Sequence, residues 1–99
     1  MAIDVQIIDE HGTVLQEYSG PAFGTSLLKL APPGGSCFCF ITPWNDATFN
    51  QDQIATLLEE FHAAAAATSN PARQSELAAL IRFVERAAGP HVYVKFVGD

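Results

Sequence analysis

The chain has 99 residues, 48% of them apolar and 16% charged, which is too hydrophobic for a disordered segment and too short for two cores, so one globular domain spanning 1–99 is expected. Eleven acidic against five basic residues give a formal charge of −6. The five cations, Lys29, Arg73, Arg82, Arg86 and Lys95, are scattered rather than gathered into the basic stripe that phosphate contacts need, so nucleic acid and anionic membranes are disfavoured as partners and a cationic protein surface is favoured.

In chain order, residues 3–8 read as a strand, with Ile3, Val5 and Ile7 on one face and Asp4 and Gln6 on the other. The start Met1-Ala2-Ile3-Asp4 carries an acid where a secretory signal needs basic residues, and no apolar h-region follows. Asp9-Glu10-His11-Gly12 is a polar turn closed by the residue that tolerates positive φ, and the β pattern resumes over 13–18, which predicts a hairpin. Residues 19–35 hold Leu27, Leu28 and Leu30 between the breakers Gly20-Pro21 and Pro32-Pro33-Gly34-Gly35. A short packed element is expected there, either a helical turn or an edge strand.

Cys37-Phe38-Cys39-Phe40-Ile41 is continuously apolar and predicts a strand covered on both faces. On such a strand the two thiols would point the same way about 7 Å apart, too far for a relaxed disulfide. Free thiols place the chain in a reducing compartment, with the cytoplasm as the expected location. Thr42-Pro43-Trp44-Asn45-Asp46 turns the chain, and 47–49 reads as one more brief extended segment.

Asn50 and Gln53 have the spacing of a capping box, and Ile54, Leu57, Leu58, Phe61 and Ala65 form one apolar helical stripe. Thr68-Ser69-Asn70-Pro71 breaks and recaps the chain, with Pro71 as a first helical residue. Leu77, Leu80, Ile81, Val84 and Ala88 make a second stripe that Gly89-Pro90 stops. Residues 91–97 alternate as a final strand, Val92, Val94 and Phe96 opposite Tyr93 and Lys95. No run approaches the roughly 18 apolar residues that span a bilayer. Strands grouped before and after a helical pair predict an α+β fold. Its mainly antiparallel sheet would comprise the N-terminal hairpin, a central strand over 37–41 and the C-terminal strand, with a two-helix hairpin packed on one face.

The chemistry-bearing residues lack the spacing that catalysis or metal binding needs. Structural zinc wants four ligands in paired elements, whereas His11, His62 and His91 fall on a turn, a helix and a strand start. Neither a metal nor another cofactor is therefore expected, and Cys37 and Cys39 read as small core hydrophobes. No nucleophile elbow or phosphate-binding loop is present, and Glu59 and Glu60 read as a solvated helix face. The segment 42–53 stands out because Trp44, Asn45, Asp46, Phe49 and Asn50 crowd one strand-to-helix connection, and aromatic residues on loops favour interfaces. Structural duties would also account for them, with Trp44 and Phe49 capping the core, Asp46 turning the chain and Asn50 capping the helix. Phe83 lies off the second helical stripe and reads as partly exposed, so it joins the candidate interaction residues.

The Asp9 to Gly12 hairpin turn, the 43–53 segment with Asp46, Phe49, Asn50 and Gln53, and the ending Tyr93-Val94-Lys95-Phe96-Val97-Gly98-Asp99 resemble a set of short bacterial proteins without an assigned function. The resemblance spans nearly the whole chain. It implies a stand-alone bacterial domain and no catalytic residue.

These readings converge on a small acidic intracellular protein-interaction domain, a binding or immunity-type inhibitor protein facing a more basic partner, rather than an enzyme. One alternative is a homo-oligomeric structural protein whose last strand, or second helix with Phe83, forms a symmetric interface. Another is a small ligand-binding protein or enzyme with His11, His91 and Tyr93 around a pocket between sheet and helices.

Overall fold

Alternation of apolar and polar residues over the first strand buries Val5 and Ile7 on one side, and the structure builds outward from there. The computed structural model describes residues 3–98. Met1, Ala2 and Asp99, which figured in the reading of the two ends, lie outside them. Strand β1 (Asp4–Asp9) pairs antiparallel with β2 (Val14–Glu17) on one side and with β4 (Val92–Val97) on the other. β4 pairs in turn with β3 (Ala47–Phe49), giving a four-stranded antiparallel sheet in the order β2-β1-β4-β3. The register sets Val5 opposite Phe96 and Ile7 opposite Val94, and these four buried residues form the floor on which the helices sit. The fold is α+β as expected.

The hairpin turn is made by Asp9, whose Oδ1 accepts the backbone N–H groups of His11 and Thr13, each at 2.9 Å, while Gly12 takes φ 83°. The segment between the hairpin and the sheet edge contains a single helical turn, α1 (Thr25–Leu28), which plants Leu27 in the core. Helix α2 (Gln51–Ala67) buries Ile54, Leu57, Phe61 and Ala64, and α3 (Pro71–Val84) buries Leu77, Leu80, Ile81, Phe83 and Val84. α3 ends at Val84, before Gly89-Pro90, so Ala88 lies exposed beyond the helix and not on the stripe.

Both helix starts are built as their sequences require. Asn50 Oδ1 accepts from Gln53 N and Gln53 Oε1 accepts from Asn50 N, both at 2.9 Å, closing the capping box. Asn70 Oδ1 accepts from Ala72 N at 3.0 Å above Pro71. Asn50→Ala should therefore lower stability by about 1 kcal/mol, or roughly 4–8 °C in Tm for a chain of this size. An unchanged melting curve would show that the cap contributes nothing to the folded state.

Two expectations about the middle of the chain are corrected. Residues 37–41 do not form the central strand, because Phe38–Phe40 is a 3-10 turn. The remaining strand is Ala47–Phe49 at the sheet edge, and β4 occupies the centre. The reason is a carboxylate on α2: Glu60 accepts the backbone N–H groups of Ser36 at 2.8 Å and of Cys37 and Phe38 at 2.9 Å, so these donors are spent before a ladder can form. Gly35 sits so close that a Cβ there would collide with the Glu60 carboxylate. A 3-10 turn distributes successive side chains around its axis at three per turn. Phe38 thus enters the core, while Cys39 and Phe40 point outward. Glu60 is an anchor, not merely part of a solvated face.

The core is stapled by aromatic rings packed edge to face. Phe61 lies 4.9 Å from Phe38 and 6.4 Å from Phe96, and Phe96 lies 5.8 Å from Phe49 (centroid distances). Tyr18 closes the other end against Phe23 and Phe83.

Candidate functional site

Pro43 and Ile41 are buried, and their burial forces their neighbours Phe40 and Trp44 out of the core. Phe40 is 63% and Trp44 65% exposed, the highest values among the large hydrophobic side chains described. Trp44 rides a tight reversal, in which Asn45 N donates to Thr42 Oγ1 at 3.2 Å and Thr42 and Asn45 form an isolated β-bridge. A groove of about 200 Å³ runs beside it, walled by Leu28, Ile41, Pro43 and Trp44 with Thr25 and Lys29 at its margin.

The loop is held at both ends. Upstream, Glu60 grips three successive amides. Downstream, Asp46 Oδ1 accepts from Gly98 N at 3.0 Å and Asp46 Oδ2 lies 3.6 Å from Lys95 Nζ. Gly98 passes so near the loop that a Cβ there would stand 2.6 Å from the backbone N and O of Asn45, a contact only glycine avoids. With the backbone fixed, contact through these two side chains would cost side-chain freedom but little loop freedom.

Of the six sequence-designated residues, Trp44, Asn45 and Asp46 come together on this exposed loop. Asn50 is exposed but committed to the helix cap. Phe49 and Phe83 are each only 4% exposed, so neither presents a surface to a partner. Phe83 is buried because the segment after β2 covers α3: its ring packs edge to face on Tyr18 at 5.5 Å. Phe40 was missed because a continuous apolar run hides which of its members face outward. The confinement of residues 37–41 between Gly34-Gly35 and Pro43 was the available signal against a full strand.

The thiols differ from each other. Cys37 is buried, its Sγ 3.5 Å from Gln53 O, and burial, reinforced by the charge of Glu60 and by Cys39, pushes its thiol up. Cys39, expected in the core, is exposed with Sγ 3.2 Å from Gly35 O. Among the described residues no three of His, Cys, Asp and Glu are grouped so as to hold a metal ion. His11 and His91 both approach Glu10, at 3.7 Å and 2.9 Å, on an open surface. No helix among the described residues is long and apolar enough to cross a membrane.

What fold and site define is a class, an α+β domain presenting an anchored aromatic loop. Comparison with protein-family models, curated proteins and solved structures finds no match in any of the three.

Proposed function

We propose that the chain is a small protein-binding domain that docks Phe40 and Trp44 onto an apolar site of a partner with a cationic rim. The observation that carries this reading is the pair of large aromatic side chains, 63% and 65% exposed, on a backbone tied down on either side. Exposed aromatics of this kind supply much of the energy of protein interfaces. The charge of −6 favours a basic partner, since complementary potentials steer encounter and disfavour wrong partners. Inhibition of a basic protein, as an immunity-type protein performs, fits this chemistry, and two free cysteines fit a cytoplasmic, reducing setting.

Self-association through the last strand or Phe83 is the weaker reading, because β4 pairs with β1 along its length and with β3 over Val94–Phe96, and Phe83 is buried.

The test compares capture of host cytoplasmic protein by the wild-type chain and by a Phe40→Ala/Trp44→Ala variant, followed by reconstitution with the purified partner. Because Trp44 is the only tryptophan, its emission should shift to the blue on binding. Trp44→Ala should weaken binding about 30-fold or more while leaving Tm within a degree or two, and added salt should weaken the wild-type complex. A partner retained equally by the double variant, or Trp44 emission unmoved at saturation, would refute the reading.

A further inference from the structure

A second surface, at the β2 and α3 side of the molecule, has the opposite character. Arg82 and Arg86 stand four residues apart along α3 and the turn that follows it, and both line one recess of about 170 Å³. Its remaining walls are the Tyr18 ring, Ser19, Gly20, Ala79 and Phe83. In an acidic chain with five cations, two of them line this one cleft. Arg73 is paired with Glu76 at 2.6 Å and Lys95 with Asp46 at 3.6 Å, whereas neither Arg82 nor Arg86 has a carboxylate partner among the described residues.

The opposite wall adds donors. The backbone N–H groups of Ser19 and Gly20 donate no hydrogen bond among the described residues, and the Ser19 hydroxyl makes none. The Tyr18 hydroxyl is already committed, donating to Pro21 O at 2.9 Å, so its ring serves as an apolar wall. Two guanidinium forks, with two uncommitted amides and a hydroxyl on the residues that line the recess and no carboxylate among them, make a donor-rich site of the kind that selects oxyanions.

We propose that this cleft binds a small oxyanion, a phosphate monoester or a carboxylate, carried on a compact apolar group that lies against Tyr18 and Ala79. Arg82 and Arg86 supply the charge-assisted, bidentate contacts, and Ser19 and Gly20 complete the coordination. The site is separate from the aromatic loop and does not depend on it.

The test is an amide-resolved NMR titration of the whole chain at low ionic strength with phenyl phosphate and, separately, with benzoate, with sodium chloride at matched ionic strength as the reference. Saturable shifts centred on Ser19, Gly20, Ala79, Arg82 and Arg86 are expected, and the tighter of the two probes names the preferred headgroup. Arg82→Gln and Arg86→Gln should each weaken binding about tenfold, the loss expected for one charge-assisted hydrogen-bonding group. Arg82→Lys keeps the charge and loses the fork, so it should fall between Arg82→Gln and wild type, and it serves if a glutamine variant folds poorly. Shifts that sodium chloride reproduces, or binding unchanged in the Arg82→Gln/Arg86→Gln double variant, would overturn the proposal.

Discussion

Glu60→Ala is expected to lower stability by roughly 2–4 kcal/mol, because three amides that end on this carboxylate lose their acceptor and each unsatisfied buried donor costs about 1–3 kcal/mol. Ser36 is exposed and recovers water, while Cys37 and Phe38 are buried residues and do not. Against a total of about 5–15 kcal/mol for a small domain this is a large fraction. Urea denaturation should show a lower midpoint at unchanged slope. Glu60→Gln should be milder. One amide oxygen still accepts from Cys37 and Phe38, but an NH₂ replaces the acceptor of Ser36. Because the same three bonds hold the segment leading into Phe40, Glu60→Ala should also weaken the proposed docking through Phe40 and Trp44 beyond what its folded fraction explains.

The same carboxylate predicts an acid limb. Burial pushes Glu60 up, but hydrogen bonds from the Phe38, Ser36 and Cys37 amides together outweigh it, and the net displacement is below the ordinary 4.5. A group depressed in the folded state stabilises fully above its unfolded pKa and loses that contribution as pH falls through the folded one. The stability difference between wild type and Glu60→Gln should thus be constant near neutrality and shrink as pH drops below about 4.5. Asp9, held below its usual range chiefly by the Thr13 amide, titrates in the same direction in both proteins and cancels from the difference. A difference independent of pH through the acid range would remove Glu60 from the anchor role.

Phe61→Ala is the core substitution expected to do most damage, about 3–5 kcal/mol. Phe61 is fully buried, and its ring is the link between Phe38 on the 3-10 turn and Phe96 on the central strand. Truncation leaves a void between α2, the sheet and that turn, and it breaks two edge-to-face contacts together. A Tm fall of about 15 °C or more is expected by calorimetry. Phe61→Leu, which keeps most of the volume, should cost clearly less. A loss below about 1 kcal/mol would mean that the turn and strand repack without the ring.

The elements legible in the chain were those whose determinants lie close together in it. The hairpin turn is closed by Asp9 onto amides two and four residues away, and the cap of α2 spans three residues. The 42–53 connection stood out from its aromatic and polar composition, but that composition is compatible with Trp44 either facing a partner or capping the core, and the structure places it outside at 65% exposure while Phe49 goes inside. The third strand was misplaced because the fate of residues 36–38 depends on an acceptor 22 to 24 positions further along, on a helix face that composition marks only as polar. Phe83 was misjudged for the same kind of reason: a helix stripe records one neighbour, and α3 has a second in Tyr18.

By itself, the order of residues determined the fold class, the two helices with their caps, and the charge that favours a basic partner, since periodicity, capping and net charge are local or additive properties. Only the tertiary structure decided which strand lies at the centre of the sheet, which of Phe38 and Phe40 faces water, and where Arg82 and Arg86 meet the chain beyond β2. Those outcomes depend on hydrogen bonds and packing between segments far apart in sequence. Their energies arise when distant donors and acceptors are brought together, and no short window of sequence contains both partners.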